Sequence, residues 1–142
     1  MIKKFLITNL FLFSFFLSNS FSDNNMYMSL KNKEVNVRYG PGLDYPIKFV
    51  FNKKNYPVEI IDQKENFRKI LDFKKNSGWI HRSQLKKSSS FITLDTVILF
   101  SDSTKFSRPI AKIESGRLLN KKKCNLNWCR VETGEYKGWV LK

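Results

Sequence analysis

The sequence predicts an all-β protein, with two small β-barrels in tandem behind an N-terminal signal peptide. Three observations carry this reading. The chain opens on lysines, an apolar stretch and small polar residues, in that order. After residue 22, apolar residues do not recur at helical spacing; short alternating or apolar runs are broken by turn residues at roughly 8–12-residue intervals. The runs also fall into two sets that can be laid over each other, as an internal repeat requires.

Residues 1–22 come first. Met1-Ile2-Lys3-Lys4 precedes an apolar stretch, Phe5 to Leu17, followed by Ser18, Asn19, Ser20 and Ser22. That stretch is interrupted by Thr8, Asn9 and Ser14 and falls short of the roughly 20 apolar residues of a spanning helix. Cleavage is therefore expected rather than anchoring, after Ser22 or otherwise after Ser20. No cysteine lies near the cut to take a lipid. The expected product is exported, periplasmic and free of a second spanning segment.

The first barrel is expected over residues 26–94, with strands at Val35–Arg38, Ile47–Phe51, Tyr56–Asp62, Phe67–Leu71, Gly78–His81 and Phe91–Leu94. Val35 and Val37 share one strand face, and Asn36 and Arg38 the other. Pro41 and Gly42 suit a type II turn, with a positive φ at the glycine. Gly78 lets the chain pass close to a neighbour, and Trp79 is expected to supply apolar area to a very small core.

The second barrel is expected over residues 95–142, with strands at Thr96–Phe100, Ile110–Ile113, Arg117–Lys123, Trp128–Glu132 and Gly138–Leu141. In the overlay, Val97 and Leu99 match Val35 and Val37, and Arg108-Pro109-Ile110 matches Tyr45-Pro46-Ile47. Trp128-Cys129-Arg130-Val131 matches Phe67-Arg68-Lys69-Ile70, and Gly138-Trp139-Val140 matches Gly78-Trp79-Ile80. The sequence stops at Lys142, where the first unit continues, so the second barrel is expected to lack its last strand and to present an edge that wants pairing.

Asn36-Val37-Arg38-Tyr39-Gly40-Pro41-Gly42, then Tyr45-Pro46, then Gly78-Trp79-Ile80-His81-Arg82-Ser83, resembles the bacterial SH3 (SH3b-type) domain, as found in small exported proteins of Gram-negative bacteria. The second unit is similar to the companion repeat of that family. Phe67 stands where the family often has tryptophan. The resemblance implies SH3-like barrels and a binding role. It also implies cell-wall peptidase or amidase neighbours in larger proteins, and the two repeats leave no room for such a domain here.

The composition carries 26 basic against 12 acidic residues, a formal charge of +14 that falls to +12 without Lys3 and Lys4. Both halves share the excess. It favours anionic envelope partners such as phospholipid headgroups, lipopolysaccharide phosphates and wall carboxylates, or else reflects a solvated lysine surface. Export disfavours nucleic acid. Cys124 and Cys129, the only cysteines, bracket a hairpin connection, and facing strand positions in an oxidising compartment predict a disulfide. A zinc site needs about four ligands, and His81, the only histidine, lies in the other repeat. No C-x-x-C redox spacing and no paired carboxylates occur, so neither a cofactor nor catalysis is expected.

Candidate ligand contacts are Tyr39, Asp44 and Tyr45 on the first long turn, Arg82 after the closing strand, and Phe106 and Arg108 on the matching turn of the second unit. The expected role is a non-enzymatic periplasmic module recognising cell-wall peptide or glycan. The alternatives are a protein-protein adaptor or accessory subunit of an envelope complex, and electrostatic association with an anionic membrane surface.

Overall fold

A computed structural model describes residues 26–142; the expected signal peptide, residues 1–22, lies outside the described residues. The chain is almost entirely strand: β1 (Met26–Leu30), β2 (Val35–Arg38), β3 (Ile47–Phe51), β4 (Pro57–Lys64), β5 (Phe67–Leu71), β6 (Ser77–His81) and β7 (Leu85–Lys87), then β8 (Ser90–Ile92), β9 (Val97–Phe100), β10 (Pro109–Ile113), β11 (Leu118–Cys124), β12 (Trp128–Thr133) and β13 (Tyr136–Leu141). One 3-10 turn, Arg82–Gln84, is capped by His81.

The strands form two sheets, ordered β3-β2-β6-β5-β4-β1-β7 and β10-β9-β13-β12-β11-β8. Each curls around its own core. In the first, Leu30, Val35, Val37, Val58, Ile70, Ile80 and Leu85, drawn from six strands, form one buried cluster with Phe49 and Phe51 of β3 packed against it. A flat sheet could not bring strands so far apart in its order into one cluster. The second core gathers Leu99, Ile113, Leu119, Cys129, Val131 and Val140. These are the two SH3-like barrels the sequence predicted.

Strand register makes the repeat exact enough to number. Arg38 faces Trp79 as Phe100 faces Trp139, and Ile70 faces Gly78 as Val131 faces Gly138. Both units carry an irregularity between β2 and β3 (β9 and β10) and another between β4 and β5 (β11 and β12). Asn55 (φ 65°) and Gly116 (φ 77°) are matching left-handed residues, each donating its N–H to the carbonyl of the matching strand, Leu30 or Thr93. The Cys124–Cys129 disulfide joins facing residues with Cα atoms 4.1 Å apart, at the place held in the first unit by the pair Gln63 and Arg68.

Several expectations need correction. Phe91–Leu94 was expected to close the first barrel, but β8 pairs with β11, Phe91 facing Leu119, and belongs to the second sheet as the counterpart of β1. The first sheet is closed instead by β7, whose Leu85 faces Leu30. β1 was missed because Met26-Tyr27-Met28-Ser29-Leu30 has no β-branched residue. Gly42 does not take a positive φ; a Cβ there would meet the exposed Asp44 carboxylate, which can swing aside. The turn overlay is one residue out, since Arg38 faces Ile47 and Phe100 faces Pro109. The counterpart of Tyr45 is therefore Ser107, that of Asp44 is Phe106, and that of Pro46 is Arg108.

The expected role of Gly78 holds. A Cβ there would strike the Val37 side chain and come within 2.9 Å of the Arg38 carbonyl. Gly78→Ala is expected to cost roughly 1–3 kcal/mol through overpacking against backbone that cannot move alone. Gly134, with φ 55° and open space around its Cα, lies in a turn. Its alanine variant should lose only the left-handed penalty of about 1–2 kcal/mol, with no disturbance of core amide shifts. Urea unfolding with amide spectra separates the two.

Tyr56 packs its ring against Phe51 at 5.1 Å and is pushed up from 10.0 to about 12, chiefly by burial and further by the Asp72 carboxylate. A folded value above the unfolded one means the folded chain holds the proton more tightly. That contribution is complete below pH 10 and lost between 10 and 12. Tyr56→Phe should therefore narrow the loss of stability across that window, and phenolate absorbance should show an ionisation near pH 12 that this substitution removes.

Candidate functional site

Strand alternation divides the first sheet into a core face and an outer face. Val37 and Ile80 are buried inside, so Arg38 on β2 and Trp79 on β6 point outward, with Lys69 on β5 beside Trp79. Phe67 faces His81 two pairs further along, their rings meeting edge to face at 5.2 Å. Trp79 is thus only partly buried and outside the core cluster, and the same holds for Trp139. This corrects the expectation that Trp79 fills the core.

His81 is fixed locally. Its Nδ1 accepts the Ser83 N–H at 3.3 Å and lies 2.7 Å from the Ser83 hydroxyl. Acceptance at Nδ1 places the ring proton of the neutral form on Nε2, which has no partner among the described residues. Glu34, Asn36, Arg38, Leu43, Phe67, His81 and Gln84 line a recess of about 180 Å³ at this end of the face.

The long turn, residues 39–46, borders the recess. Arg38 donates from Nη1 to the Tyr45 carbonyl at 2.7 Å, and the Tyr39 N–H donates to Pro46 at 3.1 Å. The Tyr45 ring lies where a Gly40 side chain would go. Lys48 sits 5.6 Å from the Tyr39 ring centroid while donating to the Ser77 carbonyl at 2.9 Å. The turn is therefore tied down, yet Tyr39 and Tyr45 stay 62% and 43% exposed.

The structure brings Tyr39, Asp44 and Tyr45 together on this turn, all exposed. Arg82, also exposed, follows His81, and among the described residues no hydrogen bond joins its side chain to the turn. Sequence reasoning missed Leu43, His81 and Trp79 as surface residues of one site, and Phe67 as the buried ring beneath it. The signal was available in the alternation around Ile80, which puts Trp79 and His81 on the same side as Arg38.

The second unit does not repeat this surface. Its turn, residues 101–108, is closed by the Ser101 N–H on Arg108 at 2.9 Å, with Phe106 wholly exposed and Arg108 exposed beyond it. Ile98, Phe100 and Leu141 stand where Asn36, Arg38 and His81 stand in the first unit. Phe100 meets Trp128 edge to face at 5.7 Å, and Lys123 lies 5.5 Å from the Trp139 centroid.

Charge is largely unpaired. Among the described residues, the salt bridges are those of Glu132 with Lys122 at 2.9 Å and Lys137 at 3.4 Å. The hydrogen bond from Lys122, reinforced by Lys137, holds the Glu132 carboxyl below its usual range against a smaller opposing effect of burial. No group of three or more metal-ligating side chains occurs among the described residues.

Two curled antiparallel sheets, each around a small core with a long turn between its first strands, define a tandem pair of SH3-like barrels. The family described as Bacterial SH3 domain matches residues 31–87 and 95–142, and the chain belongs to it. Domains of this family are typically binding modules, and family and disulfide together are consistent with an extracytoplasmic location. No curated protein matches the chain. Among solved structures it is similar to NlpC2 from Trichomonas vaginalis, at 14% identity over 83% of this chain and 46% of that one, with a TM-score of 0.37. It is also similar to NlpC1 from the same organism, at 14% identity over 82% and 44%, with a TM-score of 0.38. The chain thus spans less than half the length of either.

Gly40→Ala tests how the turn is built. The added methyl should expel the Tyr45 ring, seen as a loss of its ring-current shifts. Global stability should change by less than about 1 kcal/mol, because the displaced ring is already half in solvent.

Proposed function

We propose that this protein is a non-enzymatic, exported binding module of the bacterial envelope that recognises cell-wall peptide or glycan through the outer face of its first barrel. One observation carries the reading. Arg38, Trp79 and His81 are gathered on a face that the core does not use, with Phe67 buried against His81, beside a rigid turn with two exposed tyrosines. Such a surface offers rings for a sugar or an aliphatic stem to lie against, a guanidinium for a carboxylate, and an imidazole N–H as a directional donor. Membership of the bacterial SH3 family and a net charge of +14 support an anionic wall polymer as the ligand class. Tyr39, Asp44, Tyr45 and Arg82 are proposed as contacts at its margin, with Phe106 and Arg108 as a separate, weaker contact on the second unit.

Co-sedimentation with purified sacculi at low and physiological salt tests this. Retention at physiological salt is expected, with Arg38→Ala and Tyr39→Ala each lowering the bound fraction several-fold while amide spectra show an intact fold. Loss of all binding at physiological salt would leave only screened surface charge and overturn the reading.

A further inference from the structure

The second barrel has an outer face of its own, and its chemistry differs from that of the first. Leu99, Val131 and Val140 are buried, so by strand alternation Phe100, Arg130 and Trp139 point away from the core. Register sets them in one row with Lys123: Lys123 faces Arg130, Arg130 faces Trp139, and Trp139 faces Phe100. Strands β11 to β13 carry Lys121, Lys122, Lys123, Arg130 and Lys137 against one carboxylate, Glu132, which Lys122 and Lys137 already hold. Lys123 and Arg130 are exposed, and among the described residues neither makes a salt bridge. The matching pair in the first barrel is Asp62 and Lys69, of opposite charge. Like charges directly opposite on a ladder cost stability, so the second barrel carries a repulsion that the first avoids. An anion held between Lys123 and Arg130 removes it.

Beside this pair, the hairpin between β11 and β12 ends in Leu126, which is 88% exposed. Counting from the facing pairs Gln63–Arg68 and Cys124–Cys129, its counterpart in the first barrel is Glu65. The tip is rigid. The disulfide spans its base, the Asn125 N–H donates to the Trp128 carbonyl at 2.9 Å, and Asn125 Oδ1 accepts the N–H groups of Asn127 and Trp128 at 3.2 and 2.8 Å. The Asn125 and Leu126 carbonyls accept from the Lys142 ammonium at 2.7 and 3.1 Å, and the Asn127 carbonyl accepts the Lys142 N–H at 2.9 Å. Backbone groups engaged in this way can leave bulk water at little cost, whereas unpaired ones cannot. An apolar tip with a satisfied backbone therefore stands at the corner where the hairpin meets Lys123, Arg130 and the partly exposed Trp128.

We infer that this corner of the second barrel docks on a membrane surface carrying anionic phospholipid headgroups. Lys123 and Arg130 meet the lipid phosphates, and Leu126 enters the layer beneath them with Trp128 at its edge. Three observations select a lipid surface. The unrelieved facing cations ask for an anion. An indole beside basic side chains suits the boundary between headgroups and acyl chains, where one end of the ring is wet and the other apolar. The exposed leucine, on a tip whose backbone needs no water, is the group that a hydrophilic wall polymer would leave unused. The first barrel, with Asp62 and Glu65 at the matching positions, presents carboxylates to any such surface and is repelled by it. The site lies on the other barrel from the face proposed for wall binding.

The test is sedimentation of the chain from residue 23 onward, which holds both cores, with vesicles at physiological salt. Retention is expected on equimolar phosphatidylcholine and phosphatidylglycerol and not on phosphatidylcholine alone, with tryptophan emission moving to shorter wavelength. Lys123→Asp and Leu126→Glu copy the first barrel's own residues, so the fold should accommodate them, and urea unfolding should show stability unchanged or, for Lys123→Asp, raised. Each should weaken vesicle binding roughly fivefold or more. The charge-matched Lys53→Asp, on an exposed loop of the first barrel, should change it by less than about twofold. No retention on the mixed vesicles would overturn the inference, as would equal retention on phosphatidylcholine alone. Equal losses for Lys53→Asp and Lys123→Asp would mean net charge only, and an inert Leu126→Glu would mean that no apolar tip enters the layer; either overturns it. None of these outcomes bears on sacculus retention through the first barrel, so the two proposals fail separately.

Discussion

Both barrels depend on a close crossing of two strands that are distant in sequence. In the first unit β2 meets β6 through the single registered pair of Arg38 and Trp79, and in the second β9 meets β13 through Phe100 and Trp139. These junctions alone join a two-stranded hairpin to the meander beside it. Each is possible because a glycine precedes the tryptophan. A Cβ on Gly138 would come within 2.6 Å of the Phe100 carbonyl and 2.8 Å of the Leu99 side chain, much as one on Gly78 would meet Arg38 and Val37. Once the crossing is made, Val37 and Ile80 can share a core with Leu30 and Val58, and the sheet must curl. The same crossing turns Arg38 and Trp79 outward side by side, so the candidate binding face is a by-product of how the barrel closes.

From this shared frame the two units diverge in how they are finished. The first completes its core with Leu85 and leaves Gln63 and Arg68 as an ordinary facing pair. In the second no described residue takes that place, and a disulfide stands at the matching pair. A cross-link closing so short a loop contributes roughly 2 kcal/mol by restricting the unfolded chain, comparable to burying one leucine. The cross-link thus offsets part of what an unfilled end costs a very small core.

Much of this was legible in the sequence, and the errors have physical causes. Eleven of the thirteen strands were anticipated within a residue or two, all but β1 and β7, since alternation and turn residues are local signals. The orientation of Trp79 was misjudged by weighing its size over its parity: with Ile80 inside, the neighbouring residue must face out. The turn overlay slipped by one because Tyr45-Pro46 and Arg108-Pro109 look alike, whereas the bulge that follows fixes the register. The allegiance of β8 could not be read locally at all. Phe91-Ile92-Thr93-Leu94 is a plausible strand for either barrel, and only pairing with Leu118 and Leu119 decides it. The recess at His81 was likewise hidden, because it draws on β2, β5, β6 and a turn together.

The junction between the barrels holds a buried polar cluster beside apolar side chains such as Phe73, Phe91 and Leu94, and this bears on how the two surfaces relate. Ser29 and Ser90 are buried against each other, the Ser90 hydroxyl also donates to the Asn55 carbonyl, and the Asn55 amide donates to Asn120 at 3.0 Å. Each such bond contributes only about 0.5–1.5 kcal/mol net, but a buried polar group left without a partner costs more. Sliding one barrel over the other would strand several of these groups at once, whereas a greasy interface would tolerate it. Hydrogen bonding at the junction therefore selects one arrangement. Because Ser90 belongs to β8 itself, the strand with the open edge is anchored to the first barrel at one end and free at the other.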